Sequence, residues 1–364
     1  MEQKYGKIVG MAIVAALWIA LAVMAWCRPA EVFSISERRE LEQFPKITAE
    51  NLLNGRFMLD FESYTLDQFP VRDGFRSLKA IVHYKALGQR DNNGIYLQDG
   101  HIAKLEYPLN QQAVDHALKV FQSIYDRYLQ NCRVYAAVIP DKSYYLAEEN
   151  GYPAMDYKSL FQRVEQGMPY AYYVNLEDGL TIHDYYRTDT HWRQERLTQV
   201  AKKLCSAMGA AQPGEYTSVK AEQPFYGVYY GQAALPVEPD SLYMLHSQVL
   251  DSCQVYNFET GKYIPVYDTE KLNGNDTYEV FLSGSVSLLR VENPNAQTGK
   301  ELIVFRDSFG SSLVPLLVQG YDTVTLIDIR YISSAMLSRF IEFENQDVLF
   351  LYSTLVLNNG TTLS

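Results

Sequence analysis

The sequence has few cysteines, and their spacing suggests no shared role. Only four occur in 364 residues, and the three beyond the N-terminal region are far apart, at Cys132, Cys205 and Cys253. A disulfide framework is typically built from an even, closely spaced set, and thiolate zinc sites use close pairs of the Cys-x-x-Cys kind, which are absent here. The sequence therefore predicts free thiols, with neither a disulfide framework nor a zinc site on thiolates.

Positive charge is also scarce. There are 32 Lys and Arg residues against 43 Asp and Glu, for a net charge of -11. An acidic surface repels phosphate backbones, so nucleic acid is not expected as a partner. A hydrophobic fraction of 47% and a charged fraction of 21% exclude a disordered, collagen-like or coiled-coil chain. Tyrosine is abundant at 29 residues, which suits half-buried strands or sugar-binding surfaces.

One long uncharged segment lies close to the N-terminus. Residues 8–27 contain no charged side chain and are long enough to cross a hydrocarbon core of about 30 Å as a helix. Lys4 and Lys7 precede this segment, which predicts a cytoplasmic N-terminus, a single-pass protein of the cell membrane and an extracytoplasmic main domain. A cleaved signal peptide is the alternative, although its apolar region is usually about 7–15 residues long.

The rest of the chain divides into segments with different residue patterns. Strand-like and helix-like patterns alternate in residues 94–211 and again in 301–364, which predicts two parts of one α/β domain with a parallel sheet flanked by helices. Residues 212–300 between them carry Tyr and Val among turn residues, including 225–231 and 276–282, and favour a β-rich insertion of mostly antiparallel strands. Residues 1–27 would form the cytoplasmic tip and anchor, and 28–93 a juxtamembrane region.

The alternating parts yield specific elements. Apolar runs predict strands, and apolar residues at helical spacing predict helices. The predicted strands are 132–139, 172–176, 302–305, 323–328 and 348–352, and the predicted helices are 111–131, 156–167, 193–208, 310–318 and 334–343.

A serine follows one of these strands. Ser308 comes after the apolar run 302–305 and before Gly310, where a helix is predicted to begin. Ligands of open α/β sheets bind beyond the carboxyl ends of the strands. A helix N-terminus offers unpaired N–H groups and partial positive charge, which favour a developing alkoxide and the oxyanion of a tetrahedral intermediate. Ser308 is therefore a candidate nucleophile, and a simple helix N-cap is the alternative.

A serine nucleophile needs a base, and the sequence offers one in a polar loop. His191 precedes the predicted helix 193–208, and Asp189 lies two residues before it. In an extended loop both side chains can reach one cleft, where the carboxylate accepts the Nδ1–H of the imidazole and stabilises the imidazolium. The alternatives are a packed surface histidine and an aspartate that caps the following helix.

A metal hydrolase would use the same loop differently. Asp189 and His191, with His183 or Asp184, supply metal-ligating side chains. No His-rich helix motif of the zinc-enzyme type is present, so neither a metal nor another cofactor is predicted.

Several segments together resemble one bacterial family. They are the N-terminal membrane helix and the segments Phe69-Pro70-Val71-Arg72-Asp73, Thr188-Asp189-Thr190-His191-Trp192, Phe225-Tyr226-Gly227-Val228-Tyr229-Tyr230, Tyr278-Glu279-Val280-Phe281, Asp307-Ser308-Phe309-Gly310 and Ile327-Asp328-Ile329-Arg330-Tyr331. On these segments the chain is similar to the DHHW family of exported proteins, which is related to the SGNH-hydrolase-like alginate O-acetylation proteins.

The resemblance implies an SGNH-like α/β fold with Ser308 as nucleophile, His191 as base and Asp189 as its orienting carboxylate. The Asp-x-His element precedes the serine, as in the alginate proteins, whereas typical SGNH hydrolases place the serine first. The family's namesake motif has His where this sequence has Thr190, a position next to the base that leaves the three residues intact.

The resemblance also implies a function. Related systems esterify exported polysaccharide with an acyl group supplied through a membrane acyltransferase. The expected activity is a serine O-acetyltransferase or acetylesterase acting on cell-envelope or exported polysaccharide, with a membrane-bound O-acyltransferase as a candidate acyl donor. Arg330, Tyr226 and Tyr230 are candidate substrate contacts. The alternative is an envelope glycan-binding or scaffold protein with a degenerate site.

Overall fold

The computed structural model describes residues 2–364, with side chains from Tyr5 onward. The chain divides into two compact units. One contains Met1–Asn92 together with Gly231–Pro236, and the other contains Asn93–Tyr230 together with Val237–Ser364.

The first unit is mainly helical and begins with the apolar segment. Tyr5–Cys27 forms a helix of 23 residues that is long and apolar enough to cross a membrane. Gly55 separates the helices Ala49–Leu53 and Arg56–Asp67, because its φ of 78° is a left-handed conformation that interrupts a helix. The helices are Glu2–Cys27, Ala49–Leu53, Arg56–Asp67 and Arg72–Ile81, the last continued by a π-helical turn at Val82–Ala86, and the strands Phe33–Ser34 and Arg39–Glu40 form a hairpin.

The second unit is built on an eight-stranded sheet. Its strands in chain order are β1 (Arg133–Ile139), β2 (Tyr172–Tyr173), β3 (Gln254–Asn257), β4 (Lys262–Ile264), β5 (Leu288–Glu292), β6 (Glu301–Arg306), β7 (Thr323–Ile327) and β8 (Asp347–Ser353). The spatial order is β4-β3-β5-β7-β6-β8-β1-β2. The strands from β7 to β2 run parallel, and β4, β3 and β5 pair antiparallel. The predicted parallel sheet is therefore present, extended by strands from the predicted insertion.

Helices cover this sheet, and apolar side chains fill both faces. Along β6, Leu302 and Val304 belong to one buried cluster while Ile303 and Phe305 belong to another. This alternation is the period of two that places successive side chains on opposite faces of a strand. The longer helices are Gln111–Ile124, continued by a π-helical turn at Tyr125–Leu129, Tyr157–Gly167 and Thr198–Met208, and the shorter ones are Lys142–Leu146, Val228–Ala233, Gln248–Ser252, Gly310–Leu313 and Thr354–Asn358.

Short 3₁₀-helices and two antiparallel strand pairs complete the unit. Ile95–Gln98 and His101–Lys104 form a hairpin, and Thr217–Lys220 pairs with the more distant Tyr243–His246. The 3₁₀-helices are Glu177–Gly179, Ile182–Asp184, Gln194–Arg196, Thr269–Asn273, Thr277–Val280, Val314–Gly320, Ser334–Arg339 and Gly360–Thr362.

Two segments expected to be β-rich are helical instead. Within 225–231, Phe225 makes one isolated bridge to Asp240, and a helix begins at Val228. The chain turns there because the amides of Gly227 and Val228 donate to side chains of a neighbouring loop rather than to a strand. Within 276–282, the Asp276 side chain accepts from Tyr278 N at 3.0 Å and starts a 3₁₀-helix.

Other elements differ in length or type from the prediction. The expected helix 310–318 is α-helical only over Gly310–Leu313 and then 3₁₀, since Pro315 lacks the N–H that an α-helix needs. The expected helix 193–208 is a 3₁₀-helix at Gln194–Arg196 followed by an α-helix from Thr198. The expected helix 334–343 is a 3₁₀-helix at Ser334–Arg339, and the expected strand 172–176 is limited to β2.

Candidate active site

The carboxyl ends of four parallel strands carry the polar residues of the candidate site. Asp141 and Lys142 follow β1, Ser308 follows β6, Asp328 follows β7 and Thr354 follows β8. These strands are neighbours in the sheet, so their ends meet at one edge. This is the edge at which open α/β sheets bind ligands.

The turn that presents Ser308 is fixed by the preceding aspartate. Asp307 is fully buried. Its Oδ1 accepts from Phe309 N at 3.0 Å, and its Oδ2 accepts from Ser353 N at 2.7 Å, at the end of β8. One carboxylate therefore ties the serine turn to the adjacent strand. Ser308 itself is half-buried.

Ser308, His191 and Asp189 form a continuous row of hydrogen bonds. Ser308 Oγ lies 2.8 Å from His191 Nε2, and His191 Nδ1 lies 2.6 Å from Asp189 Oδ1. A carboxylate accepts only, so Nδ1 carries the proton and Nε2 is left as the acceptor for the serine hydroxyl. The row spans 117 positions of sequence between the serine and the histidine.

Aromatic rings enclose the imidazole. Tyr278 stacks on His191 with ring centroids 3.8 Å apart and planes 6° apart, and Phe309 lies at 4.8 Å. Tyr278 is held by its hydroxyl, which is 2.8 Å from Ser312 Oγ. The His191 side chain is only 10% exposed as a result. The rings limit its rotation and leave Nε2 directed at Ser308.

The Asp189 carboxylate has two backbone donors besides the imidazole. Its Oδ2 accepts from Val228 N at 2.8 Å, and its Oδ1 accepts from the backbone N of His191 at 3.0 Å. Gly227 packs directly against it, since a Cβ at that position would lie 2.3 Å from Asp189 Cβ. The carboxylate is fully buried, and these donors replace the water it would otherwise bind.

A second carboxylate holds the start of the same loop. Asp240 accepts from Arg187 N at 2.9 Å, and from Thr188 N and Oγ1 at 2.8 and 2.7 Å. Thr188 Oγ1 in turn accepts from Gly227 N at 3.0 Å. The loop that carries Asp189 and His191 is therefore fixed by side chains from distant segments.

Arg330 is held by a buried carboxylate. Its Nε and Nη2 donate to Asp328 Oδ1 and Oδ2 at 2.8 and 2.6 Å, and Asp328 is fully buried. Burial alone would lower the pKa of Arg330, but the hydrogen bonds and charge of Asp328 raise it above its usual value. The guanidinium of Arg306 lies 3.8 Å from the same carboxylate, and burial lowers its pKa. Arg330 thus makes a structural ion pair and keeps a side chain that is 20% exposed.

The two candidate tyrosines lie next to each other. The rings of Tyr226 and Tyr230 have centroids 4.6 Å apart, and Tyr226 is 44% exposed. Tyr230 N donates to Thr188 O at 3.1 Å. This pair is therefore joined through the backbone to the loop of Asp189 and His191.

The side chains considered as metal ligands form no ion-binding cluster in the described part of the chain. Within residues 2–364 no group of three or more His, Cys, Asp and Glu side chains is arranged to hold an ion. The Asp184 carboxylate instead accepts from Thr181 N and Oγ1 at 2.8 and 2.9 Å. Asp189 pairs with His191, and His191 pairs with Ser308.

Sequence reasoning missed several of the supporting residues. Tyr278, Asp240 and Gly227 were not singled out individually, because each acts through a contact with a distant part of the chain. Lys142 also escaped notice, although a lysine directly after a buried strand and Pro140-Asp141 was a usable signal.

The family comparison supports the resemblance seen in the sequence. The model of the DHHW family, described as DHHW protein, matches residues 154–327. The resemblance to the DHHW family is confirmed. A search of curated proteins found no match.

Solved structures share the fold at low sequence identity. A DHHW family protein from Eubacterium siraeum is 20% identical, with a TM-score of 0.62 over 75% of this chain and 95% of that one. Bacillus cereus PatB1 with a sulfonyl adduct is 18% identical, with a TM-score of 0.53 over 72% of this chain and 95% of that one. The O-acetyltransferase domain of Pseudomonas putida AlgJ is 13% identical over 73% of this chain and 92% of that one, and its TM-score of 0.44 is too low to support an inference. The expected SGNH-like α/β fold is confirmed.

Proposed function

We propose that the protein is a membrane-anchored serine acyl-ester enzyme, an O-acetyltransferase or acetylesterase acting on cell-envelope or exported polysaccharide. The observation that carries the proposal is the row Ser308–His191–Asp189, with 2.8 Å and 2.6 Å between its polar atoms. Both distances lie within hydrogen-bonding reach for a nucleophile, its base and the group that orients the base.

In the first half-reaction, Ser308 Oγ attacks the acyl carbonyl of the donor ester. His191 Nε2 takes the hydroxyl proton, and Asp189 stabilises the imidazolium that forms. The tetrahedral intermediate collapses as the bond to the leaving alcohol breaks, and His191 returns the proton to that oxygen. Ser308 is left as an acyl ester.

The oxyanion of this intermediate needs a preorganised donor. The backbone N–H of Ser308 donates to no acceptor among residues 2–364, whereas the neighbouring amides of Phe309 and Gly310 donate to Asp307. An N–H group at the nucleophile itself lies close to the developing charge and is available to stabilise it.

In the second half-reaction, a hydroxyl attacks the acyl ester. His191 removes its proton and returns it to Ser308 Oγ as the acyl–oxygen bond breaks, which restores the serine hydroxyl and the neutral imidazole. A sugar hydroxyl as acceptor gives transfer, and water gives hydrolysis. The balance between them depends on how well the acyl ester is shielded from water.

A structural relative and the apolar N-terminal helix support the proposed chemistry and its location at a membrane. PatB1 shares the fold, and its structure carries a sulfonyl adduct; sulfonyl reagents are electrophiles that react with activated nucleophiles. The helix Tyr5–Cys27 would hold the enzyme at a membrane, and Lys7 near its start favours a cytoplasmic N-terminus and an extracytoplasmic catalytic unit.

A location outside the cytoplasm at the membrane indicates the acyl donor and the acceptor. The acyl group would come from a membrane-bound O-acyltransferase, and the acceptor would be a polysaccharide. The exposed Tyr226 ring beside Tyr230 offers a stacking surface for a sugar. Arg330 contributes its remaining exposed surface to the same edge of the sheet.

A chromogenic acetyl-ester assay on the full chain in detergent tests the proposal. Ser308→Ala should abolish turnover, while Ser123→Ala, an exposed helix position, should leave it unchanged. Turnover that persists in Ser308→Ala would contradict the assignment. Absence of turnover and of serine labelling in the unaltered protein would favour the alternative, a non-catalytic glycan-binding or scaffold protein.

A further inference from the structure

A buried lysine lies beneath the loop that carries the histidine and the aspartate. Lys142 follows β1 and is only 2% exposed. Its ammonium donates to three backbone carbonyl oxygens: Tyr186 O at 2.9 Å, Arg187 O at 3.0 Å and Asp189 O at 2.9 Å. An ammonium has three N–H bonds, so each donor meets one acceptor.

The three carbonyls belong to one turn of the loop. Asp189 is the residue whose carboxylate orients His191, and here its carbonyl is fixed as well. Asp240 also binds the amides of Arg187 and Thr188. The cation thus binds the carbonyls of the loop and the anion binds its amides, which fixes the orientation of successive peptide groups.

We propose that Lys142 is a positioning residue for the reaction, and that its ammonium sets the distance between His191 and Ser308 by holding the loop. This inference rests on the proposed function. Lys142 contacts neither the nucleophile nor the base and acts only through the backbone of the residues that carry them.

The charge state of Lys142 matters because it sets how many N–H donors the side chain offers to the three carbonyl oxygens. A neutral amine has two N–H bonds and a lone pair, so one of the three carbonyls would lose its donor and face that lone pair. Burial lowers the pKa of Lys142 to about 7, against the opposing influence of Asp189 and Asp240. The positively charged form therefore prevails below neutral pH and is lost as the pH rises.

Other groups face the ammonium from the surrounding elements. His101, on the hairpin strand His101–Lys104, interacts electrostatically with Lys142, and burial with that interaction lowers the pKa of His101 to about 4. The ring of Tyr229 lies 5.4 Å from Nζ. His101 is therefore neutral across the range in which Lys142 titrates, and it adds no competing charge change there.

The first test compares Lys142→Met with Lys158→Met, an exposed lysine on the helix Tyr157–Gly167. The rate of Ser308 labelling by a sulfonyl fluoride is measured on the full chain in detergent. Below pH 7, Lys142→Met should be slower by about 10–100-fold, because small displacements of catalytic groups have effects of that size. The ratio of the wild-type rate to the Lys142→Met rate should fall as the pH rises, while Lys158→Met matches wild type throughout.

The pH dependence separates positioning from a loss of folding. A ratio that stays constant with pH, or equal rates for the two proteins below pH 7, would overturn the proposal.

The second test uses the wild-type protein and does not need activity. Amide hydrogen exchange of residues 186–192 is followed at about pH 6 and about pH 8, on either side of the pKa of Lys142, and corrected for the intrinsic rate. Protection should fall at the higher pH in this loop and stay constant in β6. Unchanged protection in the loop would refute the role of Lys142. A change without any Ser308 labelling would instead refute the proposed function and leave the loop-holding role in place.

Discussion

Gly227 allows the close approach that holds the Asp189 carboxylate. A Cβ at this position would lie 2.3 Å from Asp189 Cβ, 2.4 Å from Asp189 Cα and 2.5 Å from Asp189 N. Two of these atoms are backbone, so no rotamer change can relieve the overlap. In Gly227→Ala the two segments must therefore separate.

This separation should first weaken the hydrogen bond from Val228 N, the donor adjacent to Gly227. Val228 N donates to Asp189 Oδ2 at 2.8 Å, a hydrogen bond to a charged group. Such a bond contributes about 1.5–3 kcal/mol. If that stabilisation of the oriented carboxylate is lost, kcat/KM should fall by about 10–150-fold, at about 1.4 kcal/mol per tenfold. Overpacking should also lower the free energy of unfolding by about 1–3 kcal/mol.

The assay is acetyl-ester turnover with urea denaturation measured in parallel. The matched control is Gly179→Ala, where a Cβ would meet no atom within 4 Å. It should retain the activity of the wild type. Wild-type turnover in Gly227→Ala would refute the account of how Asp189 is held, because the overlap cannot be removed without moving it.

Three further predictions follow from the contacts of the site. Tyr278→Leu should lower kcat/KM by about 2–12-fold, since an aromatic pair adds about 0.5–1.5 kcal/mol beyond burial, whereas Tyr278→Phe keeps the ring on His191 and should retain more activity. Burial raises the pKa of Asp141 from its usual 3.8 to about 6, so the stability that Asp141 contributes as a neutral acid is complete below pH 3.8 and is lost as the pH rises through 6. In urea titrations, wild type should therefore lose stability relative to Asp141→Asn over that pH range. A difference in stability that stays constant with pH would contradict this prediction. Arg330→Gln should lower the free energy of unfolding by about 1–3 kcal/mol, because the buried Asp328 carboxylate loses two of its hydrogen-bond donors; unchanged stability with a raised KM would show a substrate contact instead.

The order of strands and helices and the candidate nucleophile were predictable from local patterns. Apolar runs located β1, β6, β7 and β8 to within two residues at each end. Ser308 stood out because it follows such a run where a helix begins, and the Asp-x-His spacing indicated a base with its orienting carboxylate. These signals are local, and the rule that parallel strand ends meet at one edge brought them together.

What escaped prediction depends on contacts between distant segments. Asp240 lies 52 positions from Thr188, and no periodicity links the two. The Tyr-rich segment 225–231 has strand-like composition, yet the carboxylate of Asp189 and the hydroxyl of Thr188 accept its amide hydrogens and turn the chain into a helix. Tertiary hydrogen bonds override composition in such cases.

The central claim is that Ser308 is an activated nucleophile, and covalent labelling tests it most directly. The full chain in detergent is treated with a sulfonyl fluoride, and the modified residue is located by peptide mass spectrometry. We expect modification at Ser308 that is abolished in Ser308→Ala and strongly slowed in His191→Ala. Modification at Ser308 that proceeds equally fast in His191→Ala, or no modification of Ser308 at all, would contradict it.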